Sequence, residues 1–426
     1  MADVLVVADD LTGGNATGAL FARRGLRAVT VSDIAHARRH APTADVVVVN
    51  TQSRHVAAGA ARVAVTAAID AVPEARLVVK RVDTTLRGNV GAELEAALTA
   101  VRRRRPETRA LFVPAFPAAG RTTVGGIHLV DGVPIAETDA ARDPFSPVPA
   151  SQVTTLLGAQ TRLRTAEISL GDVGAGPDAL SRTLDNDADI VICDAVTDAH
   201  LTALATAAAV RGCWLSADSG PFGAALATAL RIGGTPETAA APYPPVISPS
   251  SERRRTTVIV VAGSATGRTR TQLAETERAL GARYVDVAPA DLEPASLHGK
   301  LAALLQDAAV AGIRMIGEPV DTALAAAIPR VFGEVTRRIL VSHRVGGVYA
   351  TGGDVSVAVV GALGAEGFAV ETEVQPLAVA GRLVGGPHEG LPFAAKGGLI
   401  GDARAAVDCV EHLRMATAED GGRDRP

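Results

Sequence analysis

Val4-Leu-Val-Val-Ala8 is a short apolar run that stops in Asp9-Asp10-Leu-Thr-Gly13-Gly14, after which a helix of small residues is expected over Asn15–Arg24. A strand that closes on a polar, glycine-bearing turn and reopens as a helix is the building unit of parallel α/β sheets, because a parallel partner is reached only through a crossover. The chain repeats this alternation. Further strands are predicted at Arg27–Val31, Asp45–Val49, Leu77–Lys80, Ala110–Val113, Thr165–Ser169, Asp189–Asp194 and Trp214–Ala217, with helices such as Ala57–Ala71 and Leu94–Arg104 between them. Ile127–Pro134 has hairpin character around Asp131-Gly132. From Gly233 to Arg255 Pro, Ala, Ser and Thr dominate, the composition of a linker. The alternation then resumes with Thr257–Ala262, Tyr284–Val287, Gly312–Gly317, Gly347–Thr351, Ala369–Val374 and Phe393–Lys396. The expected fold is α/β in two domains, each with a mainly parallel sheet flanked by helices. The boundaries read as 1–235, a linker at 236–255, a second domain at 256–415 and a flexible polar tail at 416–426.

Composition narrows the function classes. Hydrophobic residues make up 47% of the 426, which excludes a disordered chain. Aromatics are 3%, too few for base-stacking platforms, and the net charge of −4 offers no basic stripe for nucleic acid. The one basic run, Arg102–Arg105, reads as a solvated helix end, where cations suit the dipole. Cys193, Cys213 and Cys409 are far apart and read as buried free thiols of a reducing cytoplasm. The N-terminus enters a strand directly, so no signal peptide is expected, and no apolar run reaches the roughly 18 residues of a membrane span. His36 and His40 lie four apart but flank Arg38-Arg39 with no third ligand, so a solvated helix is expected and no metal site is assigned.

The chemistry concentrates at strand ends, where open α/β sheets place ligands. The densest loop is Arg81-Val-Asp-Thr-Thr-Leu-Arg-Gly-Asn89. Asp9 and Asp10 end the first run. One of them suffices as a helix cap, and two are more than a cap needs. Arg54 follows Asn50 at another strand end, and Gly120-Arg121-Thr122-Thr123 adds a cation and two hydroxyls. Arginine forks match carboxylates and phosphates, while hydroxyls, amides and carboxylates bind sugar-type hydroxyls. Asp9, Asp10, Arg54, Asp83, Arg87 and Arg121 therefore outline a pocket for a small, polar, acidic, hydroxylated molecule.

The second domain offers three glycine-bearing strand ends: Gly263-Ser264, Thr351-Gly352-Gly353-Asp354 and Lys396-Gly397-Gly398. Each alone reads as an ordinary turn. Three in one domain suggest backbone amides gathered around phosphate, although neither a Walker lysine nor a nicotinamide-type glycine fingerprint is present.

Taken in order, Ala8-Asp-Asp-Leu-Thr-Gly13, Asn50-Thr-Gln-Ser-Arg54, Asp83-Thr-Thr-Leu-Arg-Gly-Asn89, Gly120-Arg-Thr-Thr-Val124 with Asp143-Pro144, Gly352-Gly-Asp354 and Lys396-Gly-Gly398 resemble the four-carbon acid sugar kinases, which include 3-oxo-tetronate, threonate and erythronate kinases. The resemblance covers roughly residues 3 to 412. It implies an N-terminal domain that binds the sugar acid, a C-terminal domain that binds ATP, and transfer to a terminal hydroxyl in the cleft between them. The substrate side carries over to Asp9, Asp10, Arg54, Asp83 and Arg87. The nucleotide side carries over to Ser264, Gly352, Gly353, Asp354 and Gly398, with Val355 and Gly397 in the same loops. Asp83 and Asp10 are the candidates for orienting the hydroxyl or accepting its proton, and Mg²⁺ would accompany the ATP. The chain departs from the family pattern at Ala16, where an aspartate is usual, at Val355, where a hydroxyl is usual, at Leu377, where Pro-Gly is usual, and at Gly397, where a Lys-Ser-Gly-like end is usual. Ala16 motivates one alternative, a kinase of another hydroxy acid; Ala16, Val355 and Gly397 motivate another, a member that binds sugar acid or nucleotide without catalysis. The oligomeric state stays open, a homodimer included.

Overall fold

The computed structural model describes residues 1–143, 145–233, 257–317 and 322–422. The chain separates into two units, Met1–Ala240 and Ala241–Pro426, and the segment expected as a linker at 236–255 lies outside the described residues.

The strands of the first unit are β1 (Val4–Ala8), β2 (Ala28–Val31), β3 (Val46–Asn50), β4 (Leu77–Arg81), β5 (Arg109–Val113), β6 (Arg121–Val124), β7 (Ile127–Val130), β8 (Val133–Pro134), β9 (Thr165–Ile168), β10 (Ile190–Cys193) and β11 (Trp214–Asp218). The main sheet runs β2-β3-β1-β4-β11-β5-β10-β9, with every pairing parallel. β1 and β3 are buried at every residue. A parallel sheet covered on both faces needs such unbroken apolar runs, and this is why the strands were visible in the sequence. β6, β7 and β8 form a small antiparallel sheet that turns at Asp131 and Gly132, both with positive φ. The first helix starts at Leu11, ahead of the expected Asn15, because Asp10 caps it by accepting the Gly13 N–H at 3.0 Å. Gly13 and Gly14 therefore lie inside the helix. The next helix on the motif side likewise starts early, at Val90.

The second unit contains β12 (Val258–Ala262), β13 (Arg283–Val287), β14 (Val310–Met315), β15 (Gly347–Thr351), β16 (Gly367–Gln375), β17 (Ala378–Val384) and β18 (Pro392–Lys396), in the order β13-β14-β12-β15-β18-β17-β16. The pairings from β13 to β18 are parallel, and β17 runs antiparallel to both its neighbours. β17 was not expected. It is entered through Pro376-Leu377, and Leu377 holds φ at +64°, a left-handed turn without the glycine or asparagine that marks one in a sequence. The last helix, Ala405–Gly422, continues through much of the segment read as a flexible tail from 416. Its face packs with Val260, Leu273 and Tyr349 through Cys409, Val410 and Leu413.

Both units place their first strand between their third and fourth: β3-β1-β4 and β14-β12-β15. The chain thus winds to one side of the first strand and then to the other, which opens a crevice at the carboxyl ends beside it. Register keeps the loops there level. Ala8 pairs with both Asn50 and Arg81, and Thr351 pairs with both Ala262 and Lys396. Cys193 and Cys409 are buried as expected, whereas Cys213 lies exposed in the turn before β11. Among the described residues no helix is long and apolar enough to cross a membrane.

Candidate functional site

In the first unit, the loops after β1, β3 and β4 close into one ion cluster. Arg54 bonds Asp9 in fork fashion, Nε to Oδ2 at 2.8 Å and Nη2 to Oδ1 at 3.0 Å. It also reaches Asp10 at 2.9 Å and Asp83 at 3.4 Å. Asp83 takes the Arg87 Nε–H at 2.8 Å and the Thr85 hydroxyl, and Arg87 continues to Asp143 at 3.0 Å. Burial opposes the charge on Asp83, but the guanidinium groups of Arg54 and Arg87 outweigh it and hold the carboxyl well below its ordinary range. Asp9 is lowered in the same way, with burial overcome chiefly by Arg54. Arg54 and Arg87 are raised in turn: burial opposes their charge, and the carboxylates around them prevail. Asp9, Asp10, Arg54, Asp83 and Arg87, predicted separately from the sequence, are therefore brought together.

Arg121 is not part of this cluster. Its guanidinium bonds the Ala119 carbonyl and comes only within 4.0 Å of Asp131. It borders the loop indirectly. His128 on β7 is fully buried, contacts Thr123 Oγ1 through Nδ1 at 3.2 Å and donates from Nε2 to the Thr84 carbonyl at 3.0 Å. Burial pushes this imidazole down, with Arg121 adding to the effect.

Three groups were missed as site residues. Lys80 and Glu93, each 1% exposed, form a buried ion pair at 2.7 Å, and Ser53 donates to the other oxygen of Glu93. This pair ties β4 to the helix Val90–Arg102 and so fixes both ends of the Arg81–Asn89 loop. Arg81 is the second. It is 2% exposed, its Nε and Nη1 lack hydrogen-bond partners, and Asp10 approaches no closer than 3.9 Å. The guanidinium lies against Gly13, where a Cβ would be 2.3 Å from it. Only glycine admits that approach at the start of the helix Leu11–Ala22. Asp218 is the third. It bonds Ser216 Oγ and the Gly220 amide, and burial raises its pKa. For Lys80, Arg81 and Asp218 the sequence signal was the same, a charged residue at the end of an otherwise apolar strand; Glu93, on the helix Val90–Arg102, carried no such signal. A recess of about 230 Å³ adjoins the cluster at Arg54, Gly88 and Asn89, walled by Leu86, Phe112 and Leu157.

In the second unit, the three glycine loops also converge. The Gly263 amide bonds the Thr351 carbonyl at 3.2 Å, and the Gly352 amide bonds the Lys396 carbonyl at 2.9 Å. Thr266 and Thr269 hydroxyls bond the Gly398 carbonyl at 3.0 and 2.9 Å. A Cβ on Gly398 would lie 2.3 Å from Ser264 Oγ, so the loop backbone passes directly over that hydroxyl. Gly352, with φ +106°, caps the helix Gly353–Ala362, whose first amides lack helical acceptors. Asp354 is exposed in its first turn. Val355 is buried, and its side chain packs on Gly263, so only its amide faces the loops. These bonds hold the three loops together, and the N–H groups left for a ligand are those of the first turn of the helix Gly353–Ala362, the feature that receives phosphate.

Residues 4–226 match a family model described as a sugar-binding N-terminal domain, and residues 259–406 match one described as a nucleotide-binding C-terminal domain. The chain is 36% identical to a D-erythronate kinase of Heliobacterium modesticaldum, over 97% of this chain and 97% of the relative. It is 33% identical to a D-threonate kinase of Salmonella typhimurium, over 96% and 98%. Among solved structures, a Salmonella typhimurium protein superposes with a TM-score of 0.77 at 21% identity, over 96% of this chain and 98% of the other. That likeness speaks for the fold. Kinship over nearly the whole length, with both domain models matched in order, places the chain in the four-carbon acid sugar kinase family.

Proposed function

We propose that this protein is an ATP-dependent kinase that phosphorylates the terminal hydroxyl of a four-carbon sugar acid such as erythronate, threonate or a 3-oxo-tetronate. The observation that carries the acid-sugar reading is the charge arrangement of the first unit. Arg54 and Arg87 are already neutralised by four aspartates, Asp9, Asp10, Asp83 and Asp143. Among the described residues, Arg81 is a fully buried guanidinium with two unpartnered nitrogens, Nε and Nη1, beside the N-terminus of the helix Leu11–Ala22, while Arg121 keeps only its Nε unpartnered. In this reading Arg81 pairs with the substrate carboxylate, and the aspartates accept hydrogen bonds from its hydroxyls. The relatives act on D-erythronate and D-threonate by name, molecules of this chemistry.

In the second unit, the first turn of the helix Gly353–Ala362 suits the phosphates of ATP, with Ser264, Gly352, Gly353, Asp354, Val355, Gly397 and Gly398 in the loops around it. Mg²⁺, when bound, would offset the phosphate charge. In the transfer, the substrate oxygen bonds to the γ-phosphorus, the bond from that phosphorus to the bridging oxygen breaks, and ADP leaves. Such transfers depend on positioning more than on a strong base. Asp83, held ionised by two guanidinium groups, is a poor proton acceptor and serves to orient the hydroxyl. Asp10 is the more exposed carboxylate of the cluster, at 27%, and is placed to pass the proton to water.

The test is an ATP-consumption screen with Mg²⁺ over erythronate, threonate and their 2- and 3-oxo forms. At least one acid is expected to drive ADP formation and to yield its 4-phosphate. No consumption with any of them, together with no ATP–Mg²⁺ binding by calorimetry, would overturn the assignment.

A further inference from the structure

Two lysines of this chain are fully buried at strand ends, and they are treated differently. Lys80, next to last in β4, is neutralised by Glu93 at 2.7 Å. Lys396, ending β18, is 1% exposed, and among the described residues no carboxylate pairs with it. Its Nζ donates to Thr351 Oγ1 at 3.1 Å and to the Gly397 carbonyl at 3.0 Å. An ammonium has three donors, so one remains. Both acceptors lie beside the glycine loops: Thr351 ends β15 just before Gly352, and Gly397 precedes Gly398. Burying a cation without a counter-ion is costly, and folds rarely retain the arrangement unless an anion arrives.

We infer that Lys396 is the cation that receives the phosphates of the bound nucleotide, in a fold that has no Walker lysine. The inference rests on the nucleotide reading above and adds to it the residue that supplies the charge. Lys396 joins the ends of β15 and β18 from beneath. It therefore positions both glycine loops in the free protein and neutralises phosphate in the complex.

The electrostatic surroundings agree. Burial pushes the Lys396 ammonium down to about 8, and Arg268 adds to it. The groups around it are Arg268 on the helix Gly267–Leu280, Cys409 on Ala405–Gly422 and, two residue pairs away on β15, Tyr349. Burial pushes the Cys409 thiol up to about 12 and holds the Tyr349 phenol well above its ordinary value, so both are neutral near pH 8. Asp408, beside Cys409, faces Arg404 and Gln375 instead. Lys396 is thus the group in this neighbourhood that titrates near pH 8, and an arriving phosphate favours its charged form.

The test is calorimetry of ATP–Mg²⁺ binding to the whole protein at pH 8, in buffers of different ionisation enthalpy. Uptake of about half a proton per nucleotide is expected at pH 8 and little at pH 7, with affinity falling up to about tenfold per pH unit above pH 8. Lys396→Met should weaken binding at pH 7 by about tenfold to a hundredfold, the range of a lost hydrogen bond to a charged group, and abolish the proton uptake. If that variant does not fold, the wild-type proton uptake alone decides. Binding without proton uptake at pH 8, or a folded Lys396→Met protein that binds as tightly as the wild type, would overturn the role of Lys396. Absence of nucleotide binding by the wild type at every pH would overturn the kinase reading instead.

Discussion

At the scale of single residues, the proposed reading separates two jobs that the sequence could not separate. Arg54 and Arg87 read from the sequence as candidates for the substrate carboxylate; in the structure both are paired with aspartates, whereas Nε and Nη1 of Arg81 have no partner. Steady-state kinetics should tell the roles apart. Arg81→Met is expected to raise the KM for the acid by about tenfold to a hundredfold, with a smaller effect on kcat and none on the KM for ATP. Asp83→Asn is expected to lower kcat by about a hundredfold or more. It should also lower the thermal midpoint, because Asp83 is buried between two guanidinium groups, and removing one partner of such a set costs about 3 kcal/mol. A kcat loss with Arg81→Met as large as that with Asp83→Asn, at unchanged acid KM, would contradict the division. What the sequence showed was that Asp9, Asp10, Arg54, Asp83 and Arg87 belong to strand ends. What it could not show was which charges cancel, since that depends on distances across three loops. The departures at Ala16 and Val355 read from sequence as lost functional groups. In the fold both are buried packing positions, at 4% exposure each.

At the scale of elements, legibility followed burial. The parallel strands were visible because both faces are covered and their runs are unbroken, as in β1, β3 and β18. β17 was missed because its hairpin lacks turn chemistry: Leu377 holds the left-handed φ of +64° in the tight turn from β16. A branched side chain in that region costs about 1 kcal/mol or more, whereas glycine adopts it without strain. The Leu377 amide donates to Glu373 Oε1 at 2.8 Å, so the turn is held from outside rather than by its own preference. Leu377→Gly should therefore stabilise the second unit by about 0.5–1 kcal/mol in urea denaturation, the gain from relieved strain exceeding the entropy glycine adds to the unfolded chain. A drop in stability would mean that the partly buried Leu377 side chain contributes more through packing than the turn costs.

For the whole molecule, the two units differ in where their ionised carboxylates lie, and acid should find that difference. In the first unit Asp9 and Asp83 are 4% and 5% exposed, and both have folded pKa values lowered by arginines that outweigh burial. The folded state therefore keeps them ionised at pH values where the unfolded chain, near its ordinary carboxyl pKa of about 3.9, already takes up protons. Their contribution to stability is fully present above that value and is lost as pH falls through the folded values. Asp218 has the opposite sign, since burial raises it, but it is one group against a linked pair. In the second unit the lowered carboxyls are surface groups. Glu334 is brought down to about 2 by hydrogen bonds from Arg337 and Arg338, and Glu275 and Asp402 are lowered mainly by side-chain hydrogen bonds from Arg278 and Gln375. Exposed pairs of that kind contribute little and are screened by salt, whereas buried ones are screened far less. Between pH 4 and pH 2, peptide-resolved hydrogen exchange is expected to show the β1, β3 and β4 segments losing protection before β12, β15 and β18. The order should persist when the ionic strength is raised from about 0.01 M to 0.5 M. If the second unit opened first, or if salt reversed the order, the buried cluster around Arg54 would not be what ties the stability of the first unit to its ionised aspartates.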